Sequence, residues 1–112
     1  MTIEKYSADQ SYPVGTVVSI GISTEITACS PGDLPLGVIT EILEDGFNVK
    51  LSGRVNMLVA GSVTQGTKIV ASSAGAGTAI DPIFGTNADV FAIAMQDQLD
   101  GSGIHLIECA LI

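Results

Sequence analysis

The side chains of this chain that could do ordinary nucleophilic or acid–base chemistry are few. His105 is its one histidine, and Cys29 and Cys109 are its only thiols. His105 lies between Ile104 and Leu106 in a nearly continuous apolar run. A lone histidine in such a strand reads as a packed or interfacial side chain, because a general base needs a partner that orients it. No Ser-His-Asp, Cys-His or paired-carboxylate arrangement follows from the spacings, so no catalytic residue is assigned and the chain is not expected to be an enzyme. The two cysteines lack CxxC spacing and a matching set of histidine ligands, which leaves buried thiols as the first reading and a disulfide as the second. Glu44, Asp45, Asp97 and Asp100 are acidic residues in turn-forming segments. Their spacing fits no EF-hand loop, so they read as solvated turn residues, with a weakly held cation as the alternative. The stretch AGAGTAIDPIFGTNAD, residues 74 to 89, is rich in glycine. A phosphate cradle would need to lead from a strand into a helix and, in its P-loop form, to end in a Lys-Ser or Lys-Thr pair, and neither condition is met. No cofactor and no metal ligand set is implied.

Charge excludes further classes. The chain carries 12 acidic against 4 basic residues, a formal net charge of −8. Lys5, Lys50, Arg54 and Lys68 are too few and too scattered to neutralise phosphates, so nucleic acid is not an expected partner. An anionic membrane surface is disfavoured for the same reason. The N-terminal MTIEKYSADQSYPVG has no apolar core of a secretory signal. Nowhere does an apolar run reach the roughly 20 residues that span a bilayer.

The elements that must carry these residues show best between Leu36 and Ser73. There LGVITEIL, FNVKLSGRVNMLVAG and TKIVASS supply apolar residues in short, mostly alternating bursts. Alternation is the strand signal, since successive side chains point to opposite faces. Asp45-Gly46 and Gln65-Gly66 separate the bursts, where a tight connection favours positive φ. The spacing predicts three or more antiparallel strands joined by hairpins. Upstream, VGTVVSIGI predicts a strand, Ser23-Thr24-Glu25 a turn, and Ile26 to Cys29 a short returning strand. Residues 74 to 89 are expected to form a loop or short excursions. Residues 1 to 12 are polar and read as an arm, with Ile3, Tyr6 and Tyr12 as candidate anchors for a partner; residues 13–112 read as a single β domain.

The last 23 residues predict a second hairpin, VFAIAMQD and IHLIECALI around QLDGSG; a helix over 88 to 99 is the competing pattern. Gly46 and Gly101 each follow an Asp between apolar runs and are expected in turns at positive φ. The hairpin also echoes LGVITEIL-EDG-FNVKL, a weak internal repeat. The run Ile104 to Ile112 holds only His105 and Glu108 as ionisable residues. Exposed on a monomer it would invite aggregation, so Ile104 and Leu106 are candidate interface residues and a homo-oligomer, a trimer, is expected. A low aromatic content, with no Trp, implies a core of Val, Ile, Leu and Ala. The predicted fold is all-β, a small antiparallel barrel or sandwich of eight to ten short strands with Gly-rich hairpin turns.

Five phrases carry a resemblance: YPVGTVVSIG (12 to 21), EITAC (25 to 29), LGVIT (36 to 40), LSGRV (51 to 55) and VAGSVTQGTKIVASSAGAGTAI (59 to 80). They resemble a β-module of tailed-phage virion structural proteins, found in small capsid decoration (cement) proteins and in tail fibres and appendages. The resemblance covers about 12 to 112, and its motifs are turns and strands rather than a chemical site. It implies a decoration protein, made in the host cytoplasm with reduced thiols, that binds the major capsid protein on the outer capsid surface and reinforces contacts between subunits. The sequence stops at Ile112 without a heptad run or collagen-like repeat, which favours this reading over a fibre. The alternative implied is a receptor- or glycan-binding or structural module of a fibre or appendage.

Overall fold

The structure is a computed structural model that describes residues 3–8, 10–20, 25–83 and 85–112. Among these residues the chain forms ten strands: β1 (Ile3–Tyr6), β2 (Val17–Ile20), β3 (Ile26–Ala28), β4 (Gly37–Leu43), β5 (Gly46–Lys50), β6 (Gly53–Ala60), β7 (Lys68–Ala71), β8 (Gly77–Ala79), β9 (Val90–Ala94) and β10 (Ile104–Leu111). Five of them close a barrel in the order β10-β6-β8-β7-β9, and the other five make a sheet in the order β1-β5-β4-β2-β3. The all-β expectation holds. The ten strands pair antiparallel with their neighbours except β6 and β8, which run parallel. The predicted turn at Ser23-Thr24-Glu25 lies largely outside the described residues.

Alternation sets which residues fill the barrel. Val55, Met57 and Val59 of β6 and Ile107 and Cys109 of β10 are buried inside it, together with Ile69, Phe91, Ala92 and Ala94. A second cluster under the sheet gathers Tyr12, Val18, Ile26, Ile39, Phe47 and Val49. Val17 and Val38 belong to the barrel's cluster while their neighbours Val18 and Ile39 belong to the sheet's. The contiguous apolar pairs Val17-Val18 and Val38-Ile39 therefore reflect strands covered on both faces, as such runs require. The sheet's back is thereby fused to the barrel.

Four sequence expectations need correction. First, the chain does not meander through hairpins from Leu36 to Ser73. β4 and β5 pair as a hairpin, but β6 leaves for the barrel, where it pairs with β10 and β8. The switch falls at Gly53, whose φ of 85° only glycine adopts without strain. Second, the glycine-rich stretch is not merely a loop, because β8 is a stave of the barrel. A Cβ at Gly77 would meet Ile69 and Met57 side chains at 2.6 and 2.8 Å, so a residue without a side chain is what lets the barrel close there.

Third, the N-terminal segment is not a detached arm. β1 pairs in register with β5, from Ile3↔Lys50 to Tyr6↔Phe47, and Ala8 makes a parallel bridge to Ile26 of β3. The Ile26 amide donates to the Ser7 carbonyl at 2.9 Å. Because β1 and β3 are the two ends of the sheet, this bridge draws the sheet nearly into a second barrel. A polar strand suffices for this, since an edge strand contributes backbone hydrogen bonds while one face stays wet. Fourth, Gly46 and Gly101 do not carry positive φ; Gly66 (92°) and Gly103 (77°) do. The C-terminal strands β9 and β10 are antiparallel neighbours as expected, with Ala94 opposite Cys109. Their connection, however, is a long excursion that bridges Gln98 to Val63 rather than a tight turn.

Candidate functional site

Alternation along β6 and β10 also decides what faces outward. Their register sets Arg54 opposite Ala110, Asn56 opposite Glu108, Leu58 opposite Leu106 and Ala60 opposite Ile104. The outer face of this pair thus grades from polar at one end to aliphatic at the other. Ile104 is 50% exposed and Leu106 51%. Leu106 reaches sideways to the segment before β2: a Cβ placed on Gly15 would lie 2.5 Å from Leu106 Cδ1 and 3.4 Å from Leu58 Cγ. That segment is fixed by backbone bonds, Leu58 N–H to the Gly15 carbonyl and Gly15 N–H to the Ile39 carbonyl, both at 2.9 Å. Gly15 has φ 95°, and the small residue allows Leu106 to lie against the chain. Val14, 43% exposed, extends the aliphatic surface.

The polar end of the face opens into a cleft of about 300 Å³ between sheet and barrel, lined by Val14, Thr40, Lys50, Arg54, Val55 and Asn56. Two of the chain's four basic residues thus share one cleft. The Lys50 ammonium donates to the Arg54 carbonyl, and the Arg54 guanidinium stands 3.8 Å from a Glu108 carboxylate oxygen. Both ion-pair partners are solvent-exposed, so the pair is weak.

The residues singled out from the sequence are spread over the molecule. Ile104 and Leu106 share the face just described. Ile3 is 50% exposed on the edge strand β1, and the Tyr6 hydroxyl donates to Glu4 at 2.8 Å. Tyr12 is not available as an anchor, since it is only 7% exposed and packs at 6.2 Å between ring centroids against Phe47. The structure does not bring these five together. Val14, Leu58, Lys50 and Arg54 were missed by the sequence reading. The parity of RVNMLVA already sets Arg54, Asn56, Leu58 and Ala60 on one face, but nothing local names the neighbours across the strand.

The groups tested for chemistry are occupied in the fold. Cys29 and Cys109 are free thiols, both buried. The Cys29 thiol donates to the Ser72 and Ala76 carbonyls at 3.4 Å, where the sheet meets the barrel. Burial is the main cause that pushes each thiol up to about 11. Asp97 accepts from the Gln65 amide at 2.8 Å, and Asp100 from the Ser102 amide and hydroxyl at 3.0 and 2.8 Å. These bonds from Ser102 hold Asp100 below the usual carboxylate range. Lys5 lies 2.7 Å from Asp45 and holds it low in the same way. His105 Nε2 is 3.0 Å from the Ser102 carbonyl and 3.6 Å from Asp100, so it belongs to this turn.

A second cleft, of about 310 Å³, lies among the apolar side chains of Leu34, Leu36, Leu51, Phe91, Leu111 and Ile112. The residues present in either cleft do not form a metal ligand set, and among the described residues no group of three His, Cys, Asp or Glu converges.

No known family matches the chain, and no curated protein does. Solved structures do match, among them the head fiber gp8.5 N base in bacteriophage phi29. The likeness has a TM-score of 0.75 at 13% identity and covers 99% of this chain and 93% of that one. The two share a fold over essentially their whole lengths.

Proposed function

We propose that this chain is a structural protein of a tailed-phage virion, seated on the outside of the head as a decoration protein. The observation that carries the reading is the end-to-end fold likeness to the base of a head fibre, together with the virion-protein phrases of the sequence. On this reading the chain binds the major capsid protein and bridges neighbouring subunits. Contact area that exists only in the assembled shell adds free energy only to that state, so it shifts the assembly equilibrium. Burying about 400 Å² of apolar surface corresponds to a gross ~10 kcal/mol at ~25 cal/mol per Å². A preformed β scaffold keeps the ordering cost of docking low.

A second reading, the base of a head appendage, is favoured by the same likeness, because the similar structure is itself a fibre base. A glycan-binding module draws less support. Its aromatic platforms would have to come from the tyrosines, and Tyr12 is buried while Tyr6 is half-buried. Copy number per virion separates the first two readings. Quantitative mass spectrometry of purified particles should find hundreds of copies for decoration, and a few dozen or fewer for an appendage. Heads lacking the protein should also burst at lower temperature than heads carrying it. Equal robustness would remove the reinforcing role.

A further inference from the structure

We infer that the outer face of β6 and β10 is the surface that docks the partner, and that it recognises a carboxylate lying beside an aliphatic side chain. This rests on the decoration reading above and names the surface that would carry it. Val14, Ile104 and Leu106 are exposed and Leu58 is half-buried, and Leu58 and Leu106 meet at Gly15, next to Val14, so this end of the face is aliphatic. Lys50 and Arg54 stand at its border, in the cleft that Val14 also lines. Lys50 and Arg54 outnumber Glu108 there, so the face is cationic at one end in a molecule whose formal charge is −8. Charge complementarity then selects the partner. An incoming carboxylate meets Lys50 and Arg54 there, whereas it is repelled by most of the remaining surface.

Arg54 can turn to such a group at little cost. Its exposed 3.8 Å pair with Glu108 contributes little, and a guanidinium takes a carboxylate through two parallel bonds. A second copy is a poorer occupant. Twofold pairing about the middle of this face would set the charged end of one copy against the aliphatic end of the other, between molecules of equal negative charge. The aliphatic area supplies affinity, and the cations fix register and exclude partners without an acid.

Attachment of the full chain to purified heads of its phage, read by co-sedimentation, tests the assignment. Arg54→Glu combined with Lys50→Glu should weaken attachment by ~10-fold or more, and Leu106→Ser by a similar factor. Arg54→Lys, which keeps the charge but not the two parallel bonds, should fall between wild type and the reversal, and Ile83→Ser, an exposed apolar residue in the loop after β8, should change nothing. Circular dichroism melts establish that each variant is folded. Wild-type attachment should also weaken as salt rises from about 50 mM to about 500 mM, a readout that needs no variant. If wild-type protein attaches and the charge reversal attaches equally, the docking face is wrong and the decoration reading survives. If wild-type protein does not attach at all, both fall. Self-association that Leu106→Ser abolishes would assign the face to a second copy and overturn the inference.

Discussion

A Cβ built on Gly46 would come 2.6 Å from the carbonyl oxygen of Tyr6. Glycine is needed there because β1 lies close across the backbone, and not because the turn demands positive φ. Gly46→Val should therefore lower stability by about 1–3 kcal/mol, through a backbone that must shift. Gly101 has no neighbour within 4 Å of such a Cβ, so Gly101→Ala should stay within about 0.5 kcal/mol of wild type. Urea midpoints of the two variants check this contrast, and equal losses would contradict it. The cysteines make a second residue-scale prediction. Each thiol has an ordinary value near 9.0 and is pushed up to about 11 in the fold, chiefly by burial. Above pH 9 the unfolded chain loses these protons first, so fewer are bound in the unfolded state than in the native one. Stability should then be full below pH 9 and fall as pH rises towards 11. Urea titrations at several pH values measure it, and a Cys29→Ala, Cys109→Ala variant should show a shallower fall. A thiol reagent at pH 7 should find both groups only after denaturation.

Among the elements, β1 and Tyr12 decide how the N-terminus behaves. β1 covers the β5 edge, the Ala8 bridge draws the sheet closed, and Tyr12 fills the space beside Phe47. Deleting everything before Pro13 removes all three, so the melting temperature should drop by roughly 10 °C or more. An unchanged melt would mean that the segment is dispensable to the fold after all. The contrast with the expected arm shows where sequence reading stops. β6 was legible because Val55, Met57 and Val59 alternate with outward residues, and β10 because Ile104 to Ile112 is a nearly continuous apolar run after a turn. β1 was not, since an edge strand needs no apolar pattern, and IEKY offers none. β8 was hidden too: Gly-Thr-Ala has no periodicity, and its place depends on space left by Ile69 and Met57. For the candidate face, Ile104 and Leu106 stood out as apolar residues on a strand end. Val14, Lys50 and Arg54 join them only through the closure of the barrel and the sheet's packing against it, which are long-range facts that no local window contains.

At the scale of the whole molecule, barrel and sheet share buried strands, with Val17 and Val38 facing one core and Val18 and Ile39 the other. Such a body offers a partner a rigid surface with little ordering left to do, which suits repeated attachment to a shell. The same rigidity fixes the distance between the aliphatic area and the two cations, so recognition should be lost stepwise as either end is altered. A cryo-EM map of the phage head would show the protein's place and its docking face together. Density of this ten-strand shape is expected in many copies on the outer surface, with the β6–β10 face turned towards the capsid protein. Density confined to a tail or fibre tip, or none on the head, would contradict it.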